Sequence, residues 1–503
     1  MKDGLRRWLI PVALALLAML LRSNYLIHAP RGMQFDHVDA QGYHWLAVNM
    51  LDRGVFSMNT EPPFRPDNVR APLYPLFVAF WYALGGPKLE LVMFANVLVD
   101  VLTVLVLYRL GMEVAGRRQR HLTISDLEGP ALAVPAVAGL LYALNPSSWR
   151  FTNELLTEIL FGLLLTAAVW MFARVLLYDR TRDAWRCGLL FGLAILCKPN
   201  VQFLPLVLLL ILAQRVSEGG KRWWQSAVVV VGVISVLLVP WVARNRVVFG
   251  AWFYTRTFND NLAHVSAVST LAEVRGERVA PWSERWEELY NEIIVTTALR
   301  YGWEEKDQAE ISARERDGRL LELESVAREI VLAHPVAFAT VHTRAVLWSY
   351  VPQEHRFWYT RLTGELWTDL PAEGDALGRA LREIRTGAVG RGVRTVYEDR
   401  VRALPPLALG LWLLWGIGYV MAGALAALGA LWLRPRILSL FIAATIFYVT
   451  FVPGPISGTR FRLPVTPLIL LLVVVGAAGL LEAAKARALS RDRLRREDGT
   501  QAG

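Results

Sequence analysis

Residues 158–178 read EILFGLLLTAAVWMFARVLLY, and beyond a polar break residues 185–198 read WRCGLLFGLAILCK, followed by Pro199 and Asn200. The first run matches the roughly 20 residues with which an apolar helix crosses a bilayer. The second is too short to cross upright, and it ends on a lysine. On either side, further apolar runs lie near 8–27, 90–110, 129–146, 200–214, 225–245, 404–433, 437–453 and 463–484. Ten such runs predict an all-α polytopic membrane protein, because in lipid a helix satisfies its own backbone hydrogen bonds. Composition agrees: 54% of the 503 residues are hydrophobic and 19% are charged, against about 25% charged in ordinary soluble domains. A pair of soluble domains, a disordered chain and a nucleic-acid-binding protein are all poor readings of that balance. The formal charge of +10 suits a polyanion partner, but membrane proteins also gather Lys and Arg in cytoplasmic loops for topological reasons.

Ten spans place both termini on one side of the membrane. With an inside amino terminus, the inside connections carry Arg109, Arg117, Arg118 and Arg120, then Arg180, Arg182 and Arg186, then Arg215, Lys221 and Arg222, then Arg434 and Arg436. The tail adds six more basic residues between Lys485 and Arg496, which completes a positive-inside pattern. Lys2, Arg6 and Arg7 ahead of the first run predict a signal anchor, since no small-residue cleavage site follows. The chain then divides into an amino-terminal membrane module over 1–245 with a large outer loop at 28–89, an outer segment over 246–403, and carboxy-terminal membrane helices with a basic cytoplasmic tail over 404–503. Tyr74 to Leu84 is expected to lie as an interfacial helix. The outer segment is expected to be mainly helical, with helical periodicity over Leu320 to Val331 and an amphipathic stretch after Pro335. The run 404–433 is long enough to tilt or to conceal a break at Gly416 and Gly418. Cys187 and Cys197, ten apart on one helix, would lie about 15 Å apart, too far for a disulfide.

Several basic residues depart from the inside rule by falling at outer span ends: Arg70, Arg150, Lys198, Arg244, Arg246, Arg460 and Arg462. Lys198 is the sharpest case. The two runs it joins are short, so the Lys198-Pro199-Asn200 turn sits recessed in the outer half of the membrane. A cation at that depth is costly unless it faces a wet cavity or an anion; the alternative is snorkelling to headgroup phosphates. Convergence of several such residues favours one shared anion, such as a lipid-linked phosphate. Acids supply the other half of a chemistry. Asp36 and Asp39 are three apart, and Tyr43, Ala47 and Met50 continue from Asp39 at helical spacing. A carboxylate therefore stands where an interfacial helix begins, as a reacting group or simply as its cap. Glu154 and Glu158 stand at the outer start of the fourth span, Glu154 within i,i+4 reach of Arg150 and Glu158 nearer the hydrocarbon. The histidines show no HExxH-like spacing (His37 and His44 are seven apart), so no metal site is predicted. No nucleotide-binding loop is present either. The 19 tryptophans mostly mark span ends as an aromatic belt, while Trp252 and Trp348 are candidates to stack on sugars.

These residues fall into a recognisable order. Asp39-Ala-Gln-Gly-Tyr43, with Leu46-Ala47 and Asn49-Met50-Leu51, is followed by Arg70-Ala-Pro72-Leu-Tyr74-Pro75 and by Leu156-Thr157-Glu158. Then come Gly192 to Lys198-Pro199, Pro240-Trp241-Val-Ala-Arg244-Asn245 with Gly250, and Arg460-Phe-Arg462-Leu-Pro464-Val-Thr-Pro467. Six motifs in this order, each at the expected outer face, resemble the polytopic glycosyltransferases of the C superfold, in the branch of aminoarabinose transferases and protein O-mannosyltransferases.

The resemblance implies transfer of a sugar from a polyprenyl-phosphate donor to a glycan, lipid or protein acceptor at the outer face, with inversion. Asp39 falls on the family's catalytic acid and would act as general base. Lys198, Arg460 and Arg462 would stabilise the phosphate leaving group, with Arg70 and Arg244 as second choices. Glu158 lies where the family keeps a second acid, and Asp36, Tyr43 and Tyr74 complete the expected substrate contacts. A bacterial inner membrane, with the site facing the periplasm and both termini cytoplasmic, is the expectation from this branch. Some family members bind a structural metal through an acid just before the basic-Pro motif. Here Val69 stands at that position and Asp67 two residues earlier, so metal ligation is not carried over and no cofactor is predicted. A lipid-carrier flippase without chemistry, and a platform that docks partners, are the competing classes; transporters place ionisable groups at the midplane and often carry repeats, whereas here the midspan regions are largely uncharged, the exceptions are expected near one surface, and no repeat is apparent.

Overall fold

The computed structural model describes residues 2–29, 38–118, 130–178, 180–217, 223–307, 310–365, 380, 383–384 and 386–501. Among them the chain is all-α, without a strand. The amino-terminal part runs through α1 (Lys2–His28), α2 (Val38–Arg53), α3 (Leu73–Gly85), α4 (Leu89–Arg118), α5 (Pro130–Ala143), α6 (Pro146–Thr152), α7 (Glu158–Tyr178), α8 (Thr181–Cys197), α9 (Leu204–Ser217) and α10 (Trp223–Phe249). The outer segment follows as α11 (Thr257–Asn261), a π-helical turn at Leu262–Ala267, α12 (Val268–Val274), α13 (Glu284–Tyr301), α14 (Ala313–Ala333), α15 (Pro335–Ser349), α16 (Glu354–Thr363) and α17 (Val389–Val396). The chain closes with α18 (Pro406–Trp432), α19 (Arg436–Phe451), the short α20 (Thr459–Arg462) and α21 (Thr466–Gln501).

Six helices among the described residues are long and apolar enough to cross a bilayer: Trp8–His28, Leu89–Ala115, Glu158–Tyr178, Trp223–Phe249, Pro406–Trp432 and Thr459–Ser490. The ten expected spans thus divide into these six and four shorter helices, α5, α8, α9 and α19, of 14, 17, 14 and 16 residues. At a rise of 1.5 Å per residue, each of the four covers about 20–25 Å, less than the roughly 30 Å of hydrocarbon. α18 is one helix through Gly416 and Gly418, without the break its glycines allowed.

α7 is buried on nearly all sides, which its almost uninterrupted apolar sequence permits. It forms an antiparallel hairpin with α8, so the start of α7 meets the end of α8. On its other face α8 crosses α10 closely, because Gly188 has no side chain: a Cβ there would stand 2.8 Å from Val230 O. The far end of the hairpin is tied to α4, with Arg174 2.6 Å from Glu113 and 3.4 Å from Asp183. Glu158 and Arg174 lie 16 residues apart on α7, so this anchor and the start of the helix sit at opposite ends of the span.

A buried polar knot, unforeseen in the sequence, joins α1, α4, α5 and α6. Arg22 Nε donates to Asp100 Oδ2 at 2.5 Å, Nη1 to Ala143 O at 2.9 Å and Nη2 to Ser148 Oγ at 2.8 Å, while Tyr142 Oη donates to Asp100 Oδ1 at 2.6 Å. Four residues before Asp100, Asn96 donates to Thr152 O and Glu154 O. Asn145 caps α6 by accepting from Ser147 N and Ser148 N. These contacts hold the segment that delivers Glu158.

Two compact units are present: residues 1–349 with 425–503, and residues 350–424. The first contains the membrane core and a separate outer core of Trp286, Leu289, Ile293, Leu323, Val326 and Ala327. Ser312 caps α14, and Pro335 opens α15 after the chain turns by 97°. The periodic stretch Leu320 to Val331 lies in α14, and the stretch after Pro335 is α15. The second unit packs Tyr359 with Leu404 and Ala408, and Tyr419 Oη donates to Glu354 at 2.6 Å.

Candidate active site

Helix α2 begins at Val38, so Asp39 stands in its first turn. Asp36 lies outside the described residues. Asp39 Oδ2 is 2.8 Å from Arg460 Nη2, and Asp39 Oδ1 accepts from Arg70 Nη2 at 3.3 Å. Arg460 comes from α20, the single turn that leads into α21. Its Nε donates to Glu158 Oε1 at 2.5 Å, and Lys198 Nζ donates to the same oxygen at 2.6 Å. Residues as distant in sequence as Asp39 and Arg460 therefore form one alternating chain, Arg70–Asp39–Arg460–Glu158–Lys198. Three cations face these two carboxylates, and Arg70 at the end of the chain is also paired with Asp67 at 3.5 Å.

Local sequence explains how each member arrives. Glu158 opens α7, where a carboxylate suits the helix amino terminus, and its side chain is 0% exposed. Lys198 terminates α8 with an extended backbone because Pro199 follows it. Its ammonium is buried, 4.7 Å from the ring centroid of Phe461. Tyr43 lies one turn along α2 from Asp39, its ring edge-on to Tyr74 at 4.9 Å and 5.7 Å beneath the Arg70 guanidinium. Tyr74 is fully buried on α3. Arg462, two residues beyond Arg460, is also buried.

Arg244 has a different engagement. Its Nη1 donates to Asp67 O and Asn245 Oδ1, both at 2.9 Å, and the guanidinium packs on Trp241, Phe249 and Phe56. Glu154 takes up the i,i+4 pair with Arg150 at 2.9 Å. Sequence reasoning gave Asp67 no constructive part, yet its Oδ1 accepts from the N–H groups of Val69 and Arg70 at 3.0 and 2.7 Å and so shapes the turn that aims Arg70. Arg256 and Asp317 were missed as well, because charges in a polar outer segment attract no notice.

Electrostatics separate the two carboxylates. Asp39 is 40% exposed and Glu158 0%, so only Asp39 is open to an approaching acceptor. Burial opposes the ionisation of Asp39, but Arg460 and Arg70 outweigh it and lower its pKa to about 2. Burial, reinforced by the Asp39 charge, pushes the Tyr43 phenol up, which keeps it a neutral hydrogen-bonding group. Burial also opposes the charge on Arg70, but Asp67 and Asp39 overcome it and raise its pKa. Among the described residues no group of three His, Cys, Asp or Glu side chains is placed to hold a metal ion.

Residues 69–243, which include Arg70, Tyr74, Glu158 and Lys198, match the family model described as dolichyl-phosphate-mannose-protein mannosyltransferase. The chain resembles the membrane glycosyltransferases of the C superfold. Among solved structures it is similar to the archaeal oligosaccharyltransferase AglB from Archaeoglobus fulgidus, in complex with an inhibitory peptide and a dolichol-phosphate, at 12% identity and a TM-score of 0.49. That match covers 97% of this chain but 52% of the other, so the chain spans about half the length of the archaeal protein. It is also similar to ArnT from Cupriavidus metallidurans bound to undecaprenyl phosphate, at 14% identity and a TM-score of 0.37, over 94% of this chain and 77% of that one. None of the curated proteins matches the sequence.

Proposed function

We propose that this integral membrane protein transfers a sugar from a polyprenyl-phosphate donor to an acceptor at the outer face, with inversion at the anomeric carbon. The observation that carries the reading is the Arg70–Asp39–Arg460–Glu158–Lys198 chain, a part-exposed carboxylate beside largely buried cations where the start of α7 meets the end of α8. The family match over 69–243 supports the donor class.

In this reading the donor phosphate enters between Lys198 and Arg460 and takes over part of their hydrogen bonding from Glu158 and Asp39. Arg462 lines the same turn. The acceptor oxygen, held near Asp39, attacks the anomeric carbon from the face opposite the phosphate. The bond from that carbon to the phosphate oxygen breaks, its electron pair goes to the leaving polyprenyl phosphate, and the acceptor proton passes to Asp39. Lys198 and Arg460 stabilise the charge developing on the leaving group. A carboxylate held at about 2 is a weak base. Withdrawal of Arg460 toward the phosphate raises its basicity at the moment it is needed. Glu158 remains the buried counter-ion that keeps both cations beside the phosphate. The inside-loop charges favour cytoplasmic termini and an outer placement of this site, and the resemblance to the aminoarabinose-transferase branch favours a bacterial inner membrane with the site facing the periplasm.

The test uses purified protein with a polyprenyl-phosphate sugar donor. Asp39→Asn is expected to abolish transfer while insertion and abundance stay near wild type; full transfer by this variant would falsify the base assignment. Movement of labelled lipid between leaflets of reconstituted vesicles, with no glycosylated product, would instead select the flippase class.

A further inference from the structure

Arg70 reaches Asp39 from a turn, residues 67–70, that belongs to no helix. Asp67 closes it from within. Its three leading carbonyls are held from far along the chain: Asp67 O accepts from Arg244 Nη1 at 2.9 Å, Asn68 O from Arg256 N at 2.8 Å, and Val69 O from Thr257 Oγ1 at 2.5 Å. The Asn68 side chain donates to Asp317 Oδ1 at 3.0 Å, and the same carboxylate accepts both arms of the Arg256 guanidinium, at 2.8 and 2.7 Å. Asp317 is 5% exposed and Arg256 13%, so the fork is largely shielded from water. Arg256 also lies 3.9 Å above the Phe253 ring. A bidentate, shielded pair of this kind fixes direction as well as distance.

We propose that Arg256, Asp317 and Asn68 form a positioning clamp through which the outer segment holds the 67–70 turn and thereby sets Arg70 against Asp39. The outer segment then completes the catalytic centre in addition to any part it has in choosing the acceptor. This inference rests on the glycosyl-transfer reading for its kinetic consequence, though not for its structural one. None of the three touches Asp39, Glu158 or Lys198, so they are positioning residues.

The clamp has a signature that simple loss of structure lacks. Asp39 faces Arg70 from the turn, Arg460 from α20 and Lys198 from the end of α8, with Tyr43 on its own helix; Arg70 in turn faces Asp67, Tyr43 and Asp260. If the turn loosens, Asp39 keeps Arg460 and Lys198 but loses Arg70. The acid limb of kcat/KM then moves to higher pH, by less than removal of Arg460 itself would cause.

The full-length protein in detergent carries Arg256→Gln, Arg256→Lys or Asp317→Asn, with undecaprenyl-phosphate mannose as the donor probe. For Arg256→Gln and Asp317→Asn, amide exchange across 67–70 is expected to accelerate, turnover to fall roughly tenfold with donor KM within about twofold, and the acid limb to move up. Arg256→Lys, which keeps one arm of the pair, is expected to recover most of the turnover. Unchanged exchange at 67–70, or faster exchange with turnover and acid limb both unchanged, overturns the clamp. A wild-type protein inactive on this donor counts against the transfer reading alone, and the exchange result then decides whether the pair holds the turn.

Discussion

One guanidinium serves both carboxylates of the site, with Arg460 Nη2 2.8 Å from Asp39 and Nε 2.5 Å from Glu158. With Arg70, it holds Asp39 at about 2, below the usual 3.8. The sign follows: ionised Asp39 favours the folded site above about pH 4, and that contribution is lost as pH falls through about 2. Since kcat/KM reports groups of the free enzyme, no acid limb from Asp39 is expected in it between pH 8 and 5. Arg460→Gln removes the nearest cation, so a limb should enter the measurable range. In the wild type, kcat should fall at higher pH than kcat/KM, because bound phosphate competes for Arg460. A pH–rate series on both proteins checks this, and identical limbs would refute it. At this scale the sequence was informative wherever a charge was costly. Asp39, Glu158, Lys198 and Arg460 stood out because ionisable groups at span ends need a reason. Asp317 and Arg256 did not, since a polar segment offers many acids and bases and only the fold selects which become buried.

Among elements, the same cost explains why α1, α4, α5 and α6 stay together. Arg22 and Asp100 are both fully buried, and each spends its hydrogen bonds within the knot. Asp100→Asn leaves a buried guanidinium without its counter-charge, a loss of about 3–5 kcal/mol. Replacing both members with apolar residues of similar volume should recover much of it. Chemical unfolding of the detergent-solubilised variants measures the difference, and equal losses for single and double changes would dismiss the paired role. Arg22 and Asp100 are visible in the sequence as charges inside apolar runs, but their pairing across 78 positions is not. Span lengths were legible for α4, α7, α10 and α18, where the apolar run has the length of the bilayer. The shortness of α8 and α9 was legible too, in the two brief runs either side of Lys198, whereas α5 and α19 are shorter helices than their apolar runs of 18 and 17 residues suggest.

For the whole molecule, the candidate site is assembled from α2, the 67–70 turn, the start of α7, the end of α8 and α20, so a ligand that binds it should brace elements from both ends of the sequence. A ligand that binds only the folded state stabilises it by RT ln(1 + [L]/Kd), about 2.7 kcal/mol at a hundredfold excess over Kd. Undecaprenyl phosphate is therefore expected to raise the melting temperature of the purified protein. Phosphatidylglycerol at the same concentration, an anionic lipid with a diester phosphate, is expected to raise it less. Lys198→Ala should abolish most of the undecaprenyl phosphate effect, because it removes a buried ammonium whose nearest anion is Glu158 at 2.6 Å. Asp39→Asn should keep the effect, since neutralising that carboxylate leaves Lys198 and Arg460 in place and reduces competition for Arg460. The two variants thus separate binding of the lipid phosphate from the transfer step. A shift of equal size in wild type and Lys198→Ala, or with either lipid, would mean that the phosphate binds elsewhere.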